Sequence, residues 1–232
     1  MQEAELKDKL VVLSRILYKE GFLDSFGHVS VRIPGKDYYF VTRGGPSGKG
    51  DFGTEDLVCV NFQGEKIGGD AAPPIEAIIH TALHRCRDDA VCIVHVHPYY
   101  SKLLTIAGIK FQPVTLQAAT FGHDLPVYEP ADLIITEAEG EELVRVAGKA
   151  KAVLLRSHGV VTIGDSIEEA LYLTFHLEES IQLLLDAVRL GNVIPLSQEE
   201  VQKRRHYSLT RDASVSPYAK VWAYHEFKTR NI

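Results

Sequence analysis

The stretch Val91-Cys92-Ile93-Val94-His95-Val96-His97-Pro98 reads as a buried β-strand that ends in a His-x-His pair. Side chains two apart on a strand point the same way, so both imidazoles project from one face at the strand's end. Downstream, Leu154-Leu155-Arg156-Ser157-His158-Gly159 is a second apolar run that closes on a histidine. Upstream, Glu76 opens a helix, and His80 follows it by one turn. One histidine at a strand end is ordinarily a satisfied polar residue. Two like-facing imidazoles repel when protonated and need a shared reason to sit together. Three imidazoles and a carboxylate at element ends are the donors of a divalent-metal centre with an open coordination position.

Around this centre the chain mixes hairpins with single strands set between helices. Leu6, Leu10, Leu13, Ile16 and Leu17 recur at helical spacing over residues 2–20, and Gly21 stops that helix. His28–Ile33 alternates as a strand, and Tyr38–Thr42 follows as its hairpin partner. Arg43 to Gly53 holds five glycines and a proline and is a loop. Leu57–Asn61 is a strand, and the helix from Ile75-Glu76 runs to about Arg87. After strand 91–97 come a helix from Tyr99 to Ala107, a helix over 137–149, and a strand over 151–156 paired near Thr162-Ile163-Gly164. Ser166 to Glu169 has the pattern of a capping box opening a long helix to about 190, and Ser197 caps another. The whole of 1–232 reads as one domain, with 210–232 a polar, aromatic C-terminal tail carrying Trp222, Tyr224 and Phe227. This order implies a mixed or antiparallel sheet covered by helices rather than a βαβ repeat.

Composition bounds the function. With 45% hydrophobic and 24% charged residues the chain is an ordinary globular protein. A net charge of −6 argues against a nucleic-acid partner, which calls for a basic face. Cys59, Cys86 and Cys92 are an odd set without a disulfide framework. No membrane-length apolar run and no signal-peptide pattern is visible, so a cytoplasmic setting without membrane contact is expected.

Taken together, Gly27-His28-Val29-Ser30-Val31-Arg32, Pro74-Ile75-Glu76 with His80, Ile93-Val94-His95-Val96-His97, and His158-Gly159 with Gly164 and Glu169-Ala170 resemble the class II aldolase/adducin family. The motifs run in the family's order and span about residues 5–190. The resemblance implies an α/β fold, a three-layer α/β/α sandwich around a central, mainly antiparallel sheet. It also implies a homotetramer with active sites at subunit interfaces. By the same resemblance His95, His97 and His158 are the metal ligands, and Glu76 is the catalytic acid/base that can also ligate the resting metal. One divalent ion per subunit is implied, and zinc, manganese, iron and cobalt all accept such ligands.

The departures from the family's sugar-phosphate members are equally informative. Where those resemble one another in small hydroxyl and amide donors for a phosphate, this chain has Gly27-His28, Arg43-Gly44 and Pro74-Ile75. Pro74 lacks an N–H and Ile75 a polar side chain, so a phosphate dianion would lose several hydrogen bonds. The position of those enzymes' proton-donating tyrosine falls near Leu116, which cannot donate. His28 and Arg43, with Arg32 as a further candidate, can instead hold a carboxylate. Pro74 and Ile75, with Gly44, would form the wall of a site for a flat ring.

These features resemble the decarboxylase branch of the family, which acts on hydroxylated aromatic and pyridine dicarboxylates. The expected activity is therefore a metal-dependent carbon–carbon lyase on a small-molecule carboxylate. It would decarboxylate a hydroxylated aromatic or heteroaromatic acid through a metal-stabilised enolate or phenolate, with Glu76 and His28 as catalytic residues. The alternatives are an aldolase or epimerase acting on a sugar or sugar phosphate, an oxygenase on the same scaffold, and a non-catalytic, adducin-like interaction module.

Overall fold

The computed structural model describes residues 2–45, 51–209 and 216–230; Pro46 to Gly50 of the glycine loop and Thr210 at the start of the tail lie outside the described residues. Helix α1 (Glu3–Lys19) buries Leu6, Leu10, Leu13, Ile16 and Leu17 along one face, as their spacing predicts. Each such side chain contributes at most about 1.5–3 kcal/mol by leaving water. Strands β1 (His28–Arg32) and β2 (Tyr38–Thr42) form the expected hairpin, and β3 (Leu57–Asn61) pairs with β2. The short β4 (Lys66–Gly68) extends that edge.

Helix α2 (Ala77–Cys86) then leads to β5 (Cys92–Val96) and α3 (Tyr99–Ile106). The two-residue β6 (Val127–Tyr128) precedes α4 (Glu137–Ala147), β7 (Ala152–Leu155) and β8 (Gly159–Gly164). The chain continues through α5 (Ile167–Leu190), α6 (Gln198–Leu209) and α7 (Pro217–Arg230).

The strands form one eight-stranded sheet in the order β4-β3-β2-β1-β5-β8-β7-β6. Every neighbouring pair is antiparallel except β6 with β7. Alternation along the central strands divides the core in two. Cys92, Val94 and Val96 face a cluster built with α1, α3, α5 and Trp222 of α7, whereas Ile93 faces one built with α2 and α4. The result is the three-layer α/β/α architecture with a mainly antiparallel sheet that the sequence implies. Among the described residues, no helix is long and apolar enough to cross a membrane.

Two local readings need correction. The Ser166–Glu169 box is only half formed. Ser166 Oγ accepts from Glu169 N at 3.1 Å, but the Glu169 carboxylate turns to Asp165 N (2.6 Å) and Lys151 Nζ (3.0 Å). The reciprocal box occurs instead at Thr136, where Glu139 accepts from Thr136 N at 2.8 Å. In the tail, residues 217–230 are helical, with Pro217 in the first turn where its missing N–H costs nothing. Trp222 packs into the chain's own core at 7% exposure, whereas Tyr224 and Phe227 are exposed.

Candidate metal centre and cleft

The central strands bring the expected donors to one point. In the β1–β5 register His28 lies opposite His95, so both face the α2/α4 side of the sheet. His97 follows one residue beyond β5, and His158 sits in the turn from β7 to β8, immediately before Gly159. Ser157 in that turn has φ 59°, left-handed backbone, which turns the chain sharply enough to aim His158 back at β5. Glu76 occupies the N-cap of α2 but makes no side-chain cap; its carboxylate points at the histidines instead.

The distances define a cluster. His97 Nε2 lies 3.0 Å from His95 Nε2 and 3.1 Å from His158 Nε2. Glu76 Oε2 is 3.5 Å from His95 Nε2 and 3.6 Å from His158 Nε2, and Glu76 Oε1 accepts from Ile134 N at 3.0 Å. One donor atom from each of the four residues falls within 4.8 Å of every other.

Tetrahedral ligands at about 2.0–2.1 Å from a zinc-type ion would be separated by about 3.4 Å, so a divalent cation fits this arrangement. The chemistry of the donors agrees. His95 Nδ1 donates to the Val160 carbonyl at 3.2 Å, which leaves Nε2 as a lone pair turned toward the cluster. A carboxylate and imidazole lone pairs converging on one point present electron pairs for a cation to neutralise.

Electrostatics keep the donors ready. Burial alone would raise the Glu76 carboxyl. His158 and His95, in their protonated forms, and the Ile134 N–H outweigh it and hold the group well below the usual carboxylate range. Burial, with any charge on His95 or His158 acting in the same direction, pushes His97 down to about 3, so its imidazole is neutral and available as a ligand at neutral pH.

Gly159 has a steric reason. A Cβ there would run into the Val96 carbonyl oxygen and lie 2.8 Å from His97 Cδ2. Gly159→Ala is therefore expected to cost about 1–3 kcal/mol by overpacking and to displace His97. Chemical denaturation together with metal titration checks this, and unchanged values for both would contradict it.

Two lobes of one cleft meet at the cluster and share Phe26, Glu76, His97 and Leu133. The first, of about 620 Å³, is walled by His28, Gly44, Pro73, Pro74 and Ile75; the second, of about 540 Å³, by Lys102, Arg156, Ser157 and His158. Thus Glu76, His95, His97, His158, His28, Gly44, Pro74 and Ile75 come together as expected.

Arg43 and Arg32 have partners of their own among the described residues. Arg43 Nε donates to Asp56 Oδ1 at 2.5 Å, and its guanidinium lies over Phe52. Arg32 donates to the Arg87 carbonyl and pairs with Asp88. Among the described residues, the cations lining the cleft are Lys102 and Arg156, which the sequence reading missed. Lys102 lies in the first turn of the helix that starts after His97-Pro98, which is the signal that places it near the strand end. Among the described residues no carboxylate lies within ion-pair distance of Lys102, whereas Arg156 is 3.6 Å from Glu129.

Behind His28 lies a buried polar row. His28 Nδ1 is 2.6 Å from His80 Nε2, His80 Nδ1 is 2.6 Å from Ser30 Oγ, Ser30 Oγ is 2.7 Å from His84 Nε2, and His84 Nδ1 is 2.7 Å from the Ala90 carbonyl. His80 and His84 are fully buried. Burial holds His80 well below the usual imidazole range, and any charge on His84 or His95 acts in the same direction. Burial takes His84 to about 3 despite its bond to Ala90, with the Arg32 charge also acting downward.

A depressed imidazole binds fewer protons folded than unfolded, so its stabilisation is complete above about pH 6.5 and is lost as the pH falls toward the folded value. Each such histidine contributes a slope of about 1.4 kcal/mol per pH unit. Between pH 6 and 5, urea unfolding should accordingly show a loss of at least about 1 kcal/mol. A flat profile across that interval would show that these rings are not held neutral.

Comparison with known proteins places these features in context. Residues 8–185 match the family described as Class II Aldolase and Adducin N-terminal domain. The chain is 30% identical over 203 residues, 85% of this chain and 74% of the other, to the meiotically up-regulated gene 14 protein of Schizosaccharomyces pombe. It is 28% identical over 208 residues, 84% of this chain and 83% of the other, to the 3,4-dihydroxyphthalate decarboxylase of Arthrobacter keyseri. The structure of L-fuculose 1-phosphate aldolase from Glaciozyma antarctica superposes with a TM-score of 0.83 at 25% identity, covering 98% of this chain and 90% of that one.

Proposed function

This chain belongs to the class II aldolase and adducin family, and from that premise we propose that it is a divalent-metal-dependent carbon–carbon lyase that decarboxylates a small hydroxylated aromatic or heteroaromatic carboxylate. The observation that carries the reading is the cleft itself. An apolar wall of Pro73, Pro74 and Ile75 lies on one side of the Glu76–histidine cluster, and Lys102 and Arg156 line the other. A flat ring packs against the first, and a carboxylate pairs with the cations of the second. The similarity to a dihydroxyphthalate decarboxylase supports the same substrate class.

In this reading the carbon–carbon bond to the departing carbon dioxide breaks, and its electron pair stays on the substrate. When bound, the divalent ion supplies a Lewis acid for the charge on the neighbouring oxygen. Glu76, ionised at neutral pH, accepts the proton of the substrate hydroxyl. It then holds that proton beside the carbon that must receive it, and solvent restores the balance. His28, which lines the first lobe together with Pro74, Ile75 and Glu76, is a second proton-handling group. The homotetramer implied by the family belongs to the same reading, and Phe26 and Ile75, 70% and 79% exposed at the cleft mouth, are apolar groups that a neighbouring subunit would cover.

A second reading, aldol cleavage of a sugar phosphate, is favoured by the likeness to a fuculose phosphate aldolase structure. Metal-reloaded protein should release carbon dioxide from members of a hydroxyaromatic dicarboxylate and β-keto acid panel and leave a parallel sugar-phosphate panel intact. Efficient sugar-phosphate cleavage without carbon dioxide release would replace the first reading by the second.

A further inference from the structure

The row behind the cleft has only one consistent direction. The Ala90 carbonyl can only accept, so His84 Nδ1 carries the proton of that bond. His84 is neutral, so its Nε2 accepts, and the proton between it and Ser30 belongs to the hydroxyl. The Ser30 hydroxyl has a single proton, so toward His80 its oxygen must accept, and His80 Nδ1 is the donor. His80 is also neutral; its Nε2 therefore accepts, and His28 Nδ1 donates to it. Reversing any one bond sets two acceptors, or two protons, against each other at 2.6–2.7 Å in a buried space.

We propose that the buried row His84–Ser30–His80 holds His28 in a single tautomer and ring orientation, with Nδ1 protonated and Nε2 the acceptor nitrogen at the cleft wall. His80, Ser30 and His84 are then positioning residues for proton transfer at that wall. Their elements explain the precision. Ser30 and His28 lie two apart on β1 and face α2, and His80 and His84 lie four apart on the helix face that meets them. Tyr39 closes the row from β2, with its ring 4.9 Å from that of His84 and its hydroxyl bonded to Thr81 rather than to the row. The role in proton transfer rests on the lyase reading, but the tautomer does not: it follows from the hydrogen bonds together with the burial that keeps His80 and His84 neutral.

Nitrogen-15 NMR of histidine-labelled, zinc-loaded full chain reads tautomers directly and needs no substrate. Signals are assigned by single histidine-to-asparagine variants. His28, His80 and His84 are expected to carry the proton on Nδ1, the tautomer less favoured by free histidine in water. Ser30→Ala removes the acceptor that His80 Nδ1–H has among the described residues, so His80 and then His28 should move their protons to Nε2. In that variant kcat should fall about 10–100-fold with KM nearly unchanged. Ser30→Thr keeps the hydroxyl and should keep the tautomers. An Nε2 proton on His28 or His80 in the natural chain overturns the proposal, even if Ser30→Ala fails to fold. Wild-type tautomers in a folded Ser30→Ala variant overturn it as well.

Discussion

His95→Ala is expected to hold a divalent ion at least about 100-fold more weakly than the natural chain and to lose activity in parallel. Removing an outer-shell partner of a metal ligand already weakens binding about 10–100-fold, and His95 is a donor itself. It is also the most firmly prepared of the donors. It is fully buried in a central strand, its Nδ1 is fixed on the Val160 carbonyl, and its Nε2 lies 3.0 Å from His97 Nε2. Its backbone is fixed by the β5–β8 pairing, in which His95 stands opposite Val161. Metal analysis of the variant after dialysis against a weak chelator checks the expectation. Full occupancy with activity retained would remove His95 from the centre.

Glu76→Gln should separate binding from chemistry. The amide is nearly the same size as the carboxylate, and its oxygen can still accept from Ile134 N, so the N-terminus of α2 should keep its place. Three imidazoles remain, and metal content should fall much less than in His95→Ala. What disappears is the ionised base beside the reacting carbon. Positioned acid–base groups contribute about 10²–10⁴-fold to rate, and kcat should drop by that factor with KM within a few-fold. Steady-state kinetics on metal-matched protein measure this. A variant that kept its kcat would assign proton transfer elsewhere, with His28 the first alternative.

Much of this site is legible in the chain because strand periodicity and element ends are local properties. His95 and His97 share a face by the alternation of one strand, and His158-Gly159 marks a turn whose glycine is required by the approach of the Val96 carbonyl. What the chain conceals is settled by distant partners. Among the described residues Arg43, beside Gly44, meets Asp56 and Phe52, partners that no spacing in the chain announces. Strands β4 and β6 are too short to show a period and exist through pairing with β3 and β7. Residues 217–230 have a polar composition that gives little helix signal, and the packing of Trp222 against the α1 and α5 side of the sheet holds them. The row from His28 to Ala90 was half visible, in the spacing of Ser30 after His28 and of His84 after His80. Its meaning needed the meeting of β1 with α2, which no spacing reports.

The central claim is that Glu76, His95, His97 and His158 hold one catalytic divalent ion. X-ray absorption on protein reloaded with zinc or cobalt addresses it most directly. The expected spectrum has one ion per chain with three imidazole nitrogens and oxygen donors at about 2.0–2.2 Å, and it loses one imidazole in His158→Ala. An ion with no imidazole shell, or a spectrum unaltered by that substitution, would contradict it.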